Sequence, residues 1–335
     1  MQSGLEVAVV GASGVVGEQV LGALATSRFA GAEVTAFASR ACKVEEVSYG
    51  DSRIPIRDLS DVAEHPILLA FLCVPPHVAE RVAPSITGRG ALVVDVGGGS
   101  GMDLPCFLPG VSSPELQDVV NAGGLRTPSA AGWVLASVLA PLREMGVSSV
   151  SGALNLSASS RGRAAMDELG SQVVAMFNSQ EPPRKVFAEG LAFDVLPEDC
   201  TEDEWSDREL QAAAEVEALL GIPADKIAVS LATIPLFSGV VGALHIRGLG
   251  LEEVEQALRD APGLRAVPRA ARLRPRAIVD KLRTGVSYGR LRADPAGDGV
   301  HLWVLGDNLM GAGGAVPVAA AEWLLSQGLL TRSDA

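Results

Sequence analysis

The first apolar run of the chain, LEVAVV at residues 5 to 10, stops at the glycine-rich GASGVVG of Gly11 to Gly17. EQVLGALATSRF follows it with apolar residues at helical spacing. This order predicts a strand, a glycine turn and a helix. EVTAFAS (33 to 39), ILLAFLCV (67 to 74) and ALVVDVG (91 to 97) are further apolar runs of the kind buried parallel strands produce, and a helix is expected from His77 to Thr87. The first 125 residues therefore read as a doubly wound α/β dinucleotide-binding domain.

Beyond them the pattern predicts a helix over 130 to 145, a strand over 148 to 159 and a helix over 162 to 177. An acidic helical region follows at 198 to 220, then two β-rich segments across 226 to 248, a strand at 299 to 307 and a final helix over 315 to 328. Mixed order after a Rossmann-like half predicts a second domain of the α+β class, whose sheet is a candidate dimer interface.

Composition narrows the partners. The chain has 335 residues, 48% of them apolar, and a formal net charge of -13, so a nucleic-acid backbone would be repelled and a small molecule or another protein is expected instead. No uninterrupted apolar run reaches the roughly 18 residues of a bilayer span, and MQSGLEVAVV enters a strand pattern without a basic leader, so no membrane association and a cytoplasmic location are expected. Cys42, Cys73, Cys106 and Cys200 show no CxxC or metal-like pairing, and His65, His77, His245 and His301 are as scattered, so neither disulfide nor metal is expected. Between Gly263 and Arg292 the chain turns basic, with Asp280 as the one acid. That segment reads either as an anion or acidic-partner site or as a solvated loop offsetting acidic surface.

The candidate chemistry lies in two places. In the glycine turn, Gly11, Gly14 and Gly17 permit a tight bend and close approach of a pyrophosphate, which the amides of Ser13, Val15 and Val16 at the helix N-terminus would bind. After the second strand, Ser39, Arg40 and Lys43 favour NADP over NAD, because a cation there accommodates a 2′-phosphate. The second place is LRTPSAAGWVLASVLAPL, residues 125 to 142, which sets Ser129 and Ala130 at a helix N-terminus. Unpaired amides and the helix dipole there would stabilise a thiolate or an oxyanion.

VAVVGASGVVGEQVL, FASRACK, GRAAMDELGSQ, LAFDVLP, GRLRADP and LWVLGDNLMGAGGA occur in one order over nearly the whole chain, which on these segments resembles the aspartate-semialdehyde dehydrogenase family. The resemblance implies an NADP-binding domain (1–126), a dimerising α+β domain (127–312) and a C-terminal helix (313–335) returning to the first domain. It also implies a cysteine nucleophile in an Asn-Pro-Asn-Cys loop. Here that loop is Thr127, Pro128, Ser129, Ala130, so the nucleophile's position holds Ala130. The family's basic histidine falls on Val240, its orienting glutamine on Leu156, its anion-holding arginine on Gly101 and its substrate-domain lysine on Gln211. Near the C-terminus its lysine falls on Gly311 and its asparagine on Val316, while Pro75 and Pro76 replace a small glycine-rich loop on the nicotinamide side and cannot donate backbone hydrogen bonds.

The expectation is a catalytically silent relative, a dimeric binding or interaction protein that either retains NADP(H) or binds it weakly or not at all. The alternative is an oxidoreductase of altered substrate with Ser129 or Cys106 as replacement nucleophile.

Overall fold

A computed structural model describes residues 4–40, 42, 44–98, 101–199, 204–268, 273–274 and 284–331. Lys43, Cys200 and most of the basic segment lie outside the described residues. The chain divides into two compact units, one formed by 1–128 with 312–335 and the other by 129–311.

The first unit is built on a seven-stranded sheet. Its elements are β1 (Glu6–Val10), α1 (Val15–Leu24), β2 (Glu33–Ala38), β3 (Glu46–Tyr49), β4 (Ser52–Asp58), β5 (Leu69–Leu72), α2 (Pro76–Thr87), β6 (Leu92–Asp95), α3 (Leu116–Ala122) and β7 (Gly124–Arg126), in the order β3-β4-β2-β1-β5-β6-β7. All neighbours are parallel except the hairpin β3–β4. Alternation along β1 divides its side chains between the two faces. Val7 and Val9 enter a core with Val20, Leu24, Val318 and Leu324, whereas Ala8 and Val10 enter another with Ala79, Val82 and Ile86. Both faces of the sheet are therefore covered by helices, the doubly wound arrangement that the continuous apolar runs imply.

The second unit contains α4 (Ala130–Leu139), β8 (Ser149–Ser157), α5 (Arg163–Phe177), β9 (Leu196–Pro197), α6 (Asp207–Leu220), β10 (Ile227–Ile234), β11 (Val240–Arg247), α7 (Leu251–Arg259), β12 (Leu264–Ala266), β13 (Val286–Ala293) and β14 (Gly299–Gly306). Its sheet runs β12-β13-β14-β11-β8-β10-β9 and is mixed, with β8–β10 and β12–β13 parallel. A π-helical segment, Asn308–Ala315, leads into α8 (Val316–Ser326).

Several boundaries differ from the sequence reading. Among the described residues of the acidic stretch 198–220 the helix begins at Asp207, because Ser206 and Glu209 form a reciprocal capping box that starts α6 there. The hairpin β3–β4 escaped notice because exposed polar and charged residues, Glu46, Arg53 and Arg57 among them, break up its apolar pattern. Near the C-terminus, 308–326 form one 19-residue helical stretch of mean hydropathy 1.3, longer and more apolar than the sequence reading allowed. Over half of that helix is buried in protein, with Val318, Ala320, Ala321 and Leu324 in the core of the first unit.

Two side chains of the GRAAMDELGSQ segment organise the second unit. Glu168 on α5, 6% exposed, accepts the amides of Lys185, Val186 and Phe187 at 2.7, 2.8 and 2.9 Å. One turn later Gln172 donates to the Pro183 carbonyl at 2.9 Å and accepts the amides of Leu191 and Ala192 at 2.8 and 2.9 Å. A loop without regular hydrogen bonds is thus satisfied by one helix face. Burial by itself would raise the Glu168 carboxyl, but the three backbone donors outweigh it and hold the group below the usual carboxylate range.

Candidate functional site

The glycine turn in the first unit has the geometry of a phosphate cradle. Gly11 has φ +88, and a Cβ on it would overlap the Cys73 carbonyl; a Cβ on Gly17 would overlap the Gly11 carbonyl. The amides of Gly11 and Ala12 are spent on the Phe37 carbonyl and that of Gly14 on Gly11, which fixes the bend. Ser13, Val15 and Val16 lie at the mouth of α1, and its N-cap Gly14 supplies no side-chain acceptor, so the helix end is left for an anion. These residues fit the pyrophosphate of a dinucleotide.

At the end of β2 a cleft is lined by Ser39, Arg40, Asp58, Ser60, Arg81 and Ser85. Arg40 Nε donates to Asp58 Oδ2 at 2.7 Å, while the guanidinium is 82% exposed. The Asp58 carboxyl is lowered to about 2 by the hydroxyl and amide of Ser60 and by Arg40, so it is ionised at neutral pH and holds the arginine's fork. Pro75 and Pro76 cap and begin α2, so the segment after β5 is a helix start rather than an open glycine loop. Gly101, where the resemblance sets an arginine, faces a carboxylate: a Cβ there would overlap Glu80 Oε1.

The second site is at the start of α4. Ser129 is its N-cap, and its hydroxyl oxygen accepts the Gly132 amide at 3.1 Å. A buried carboxylate, Glu215 of α6 with 0% exposure, meets it. The Ser129 amide donates to both Glu215 oxygens at 3.0 Å and the Ser129 hydroxyl donates to Oε2 at 2.7 Å. Gln211, one turn earlier on α6, donates from Nε2 to Glu215 Oε1 at 2.9 Å. The Glu215 carboxyl thus occupies the point where the Ser129 amide and hydroxyl and the N-terminal dipole of α4 converge. Ala130 is the first residue of the helix beyond it.

Val240 and Leu156 are direct cross-strand partners on β11 and β8, each 1% exposed. Neither side chain can take or hold a proton. Their strands are aligned by a buried amide: Asn308 Oδ1 accepts the Gly239 amide at 2.6 Å, and its Nδ2 donates to Ser159 Oγ at 2.9 Å. Gly311 lies against the ring of Trp133, which leaves no room for a Cβ, and Val316 is buried in the first turn of α8.

Sequence reasoning brought Ser129, Ala130 and Gln211 to notice but missed Glu215 and Asn308. The signal for Glu215 was its i+4 spacing from Gln211 on a helix. For Asn308 it was the GDN that follows β14.

Of the cysteines, Cys73 has its thiol pushed up by burial and by the nearby Asp95 charge, which keeps it protonated. Cys106 pairs in an extended bridge with Arg126 and is not in the first turn of a helix, nor is Cys42 or Cys73. Among the described residues no cysteine occupies a helix N-terminus.

A doubly wound nucleotide-binding unit joined to a unit with a mixed sheet, and a helix N-terminus set for an anion in the second, define a two-unit α/β protein of the dehydrogenase class. The model for the semialdehyde dehydrogenase NAD-binding domain matches residues 6–119, and that for the semialdehyde dehydrogenase dimerisation domain matches residues 139–311. The chain belongs to the semialdehyde dehydrogenase family. It is 28% identical to the aspartate-semialdehyde dehydrogenase of Rickettsia conorii over 332 residues, covering 96% of this chain and 97% of that one. Aspartate semialdehyde dehydrogenase II of Vibrio cholerae, solved in complex with ASA, shares its fold with TM-score 0.88 at 22% identity, over 97% of this chain and 99% of that one. A probable aspartate-semialdehyde dehydrogenase of Pseudomonas aeruginosa has TM-score 0.86 at 25% identity over 98% and 100%.

Proposed function

We propose that this protein is a catalytically silent member of its family, a cytoplasmic homodimer that binds NADP(H) through the glycine turn and does not oxidise aspartate semialdehyde. The observation that carries the reading is the start of α4, where the family's nucleophile position is Ala130 and the Glu215 carboxylate engages the Ser129 amide and hydroxyl. Val240 and Leu156 support it, since a proton acceptor and an orienting amide are replaced by two packed aliphatic side chains.

Loss of a covalent nucleophile with its base removes at least about 10^4-fold in rate. The test is an assay of the purified chain with aspartate semialdehyde, phosphate and NADP+. No turnover above the uncatalysed rate is expected, and the Ala130→Cys/Val240→His double variant is expected to remain silent, because Gly101 and Gln211 still lack the charges for the substrate. Robust turnover by either protein would overturn the reading. Dimerisation is supported by the exposed apolar surface of the second unit, where Phe177 and Phe193, 78% and 67% exposed, contact each other edge to face beside Val174 and Val195.

For the cofactor, the uncapped α1 supplies pyrophosphate binding and Arg40 the preference for a 2′-phosphate, at the cost of releasing Asp58. NADPH is expected to bind more tightly than NADH. Arg40→Ala is expected to weaken NADPH by about tenfold with little change for NADH, since a charge-assisted contact at an exposed arginine has about that value. Equal affinities of the wild type for both cofactors, read by fluorescence titration, would refute the assignment.

A second reading, an oxidoreductase of altered substrate, rests on the 2.7 Å contact of the Ser129 hydroxyl with Glu215, which supplies an acceptor for its proton. It predicts NADP+-dependent turnover of some aldehyde that Ser129→Ala abolishes.

A further inference from the structure

On the opposite side of the second unit's sheet, chain topology assembles a group of side chains that their sequence positions disguise. His245 on β11 and His301 on β14 are direct register partners, and their rings stack at 4.2 Å with an interplanar angle of 9°. Both present Nε2 to one carboxylate, Asp294 at the end of β13. His245 Nε2 lies 2.9 Å from Oδ2 and His301 Nε2 lies 3.8 Å from Oδ1. The three ligand atoms all fall within 4.8 Å of one another.

One histidine–aspartate hydrogen bond would not account for both rings, since His301 Nε2 at 3.8 Å lies beyond hydrogen-bond range. His245 Nε2 is fully buried and, although close to the carboxylate, has no partner aligned with its N–H direction. Ligands about 2.0 to 2.2 Å from a zinc-like ion are separated by about 3.3 Å in tetrahedral geometry, and the observed separations bracket that value.

The carboxylate is also held in place. Asp294 Oδ1 accepts the Ala296 amide at 3.1 Å, and the Asp294 amide and carbonyl close the turn to Gly299 and Gly297 at 2.9 Å each. The side chains are 13 to 31% exposed, which leaves a solvent-facing position for water. The neighbouring cation Arg247 is neutralised by Asp298.

We infer that His245, His301 and Asp294 form a binding site for a divalent metal ion of the zinc type, with three protein ligands and one open position. Two imidazoles and one carboxylate are the donor set that suits such borderline ions. The site is distinct from the start of α4 and from Val240. His245 is five residues along β11 from Val240, hence on the other face of the sheet and about 17 Å away along the strand. The inference is independent of whether the protein is catalytically silent.

The test is calorimetric titration of the full chain with ZnCl2, alongside Co2+ titration read by visible absorption, after alkylation of its thiols. One ion per chain is expected at micromolar concentrations, with a Co2+ spectrum of four- or five-coordinate type. His301→Ala and Asp294→Asn are expected to weaken binding by more than the roughly 10- to 100-fold that outer-shell changes produce. Asp294→Asn keeps an acceptor for the Ala296 amide, so it retains the turn if His301→Ala does not fold. No binding by the wild type at millimolar metal, or equal binding by the wild type and a folded variant, would overturn the site.

Discussion

Replacing Glu168 by Ala is expected to destabilise the second unit by about 3–5 kcal/mol, the largest effect of any single substitution considered in this protein. Three backbone amides, those of Lys185, Val186 and Phe187, converge on this carboxylate, and Gln172 Nε2 adds a fourth donor at 3.2 Å. Leaving a buried donor without an acceptor costs about 1–3 kcal/mol, and partial hydration of the two half-buried amides keeps the sum below the simple total. Glu168→Gln retains one acceptor oxygen and is expected to lose roughly half as much.

Urea denaturation gives the global loss, and hydrogen exchange at 185–187 gives the local one; unchanged protection of those amides in Glu168→Ala would contradict the assignment. The pH dependence has a definite sign. Because the folded carboxyl titrates below its unfolded value of about 4.3, its contribution is complete above that pH and is lost as the pH falls through the lowered folded value. Wild type is therefore expected to lose stability on acidification more steeply than Glu168→Gln.

Glu215→Ala is expected to cost about 2–4 kcal/mol and to change what the start of α4 binds. The variant strips the half-buried Ser129 amide, Ser129 hydroxyl and Gln211 of the buried acceptor they share. It also vacates an acceptor position at a helix N-terminus, which inorganic phosphate is expected to fill. Thermal unfolding with increasing phosphate checks both effects. The variant starts lower than wild type and is raised more by the anion, whereas equal phosphate shifts in both proteins would show that Glu215 does not occupy an anion position.

Much of the first unit was legible in the chain. LEVAVV followed by GASGVVG can be satisfied only by a buried strand, a bend at a positive-φ glycine and a helix, because each demand is met by residues adjacent in sequence. The strands of 67–74 and 91–97 were readable for the same reason. By contrast, the hairpin of β3 and β4 carries exposed charges on alternate positions and was silent. The partial helicity of 198–220 turned on one cap at Ser206, which a compositional reading averages away.

For the candidate site, the residues that the resemblance sets at the family's positions, Ala130, Leu156 and Val240, were readable in the chain, but the side chains that meet them were not. Glu215 is 86 residues from Ser129, and nothing local in either segment specifies their contact. The same holds for Asn308 and Gly239, 69 residues apart, and for Asp294 between His245 and His301.

What the sequence by itself determined is the strand–turn–helix start of the first unit, its main apolar strands and the glycine cradle, all of which depend on residue type and short spacing. Only the tertiary structure decided which charges meet. A buried carboxylate caps α4 and two scattered histidines become cross-strand partners because strand register and helix packing, set by the burial of whole faces, bring together residues that no periodicity links.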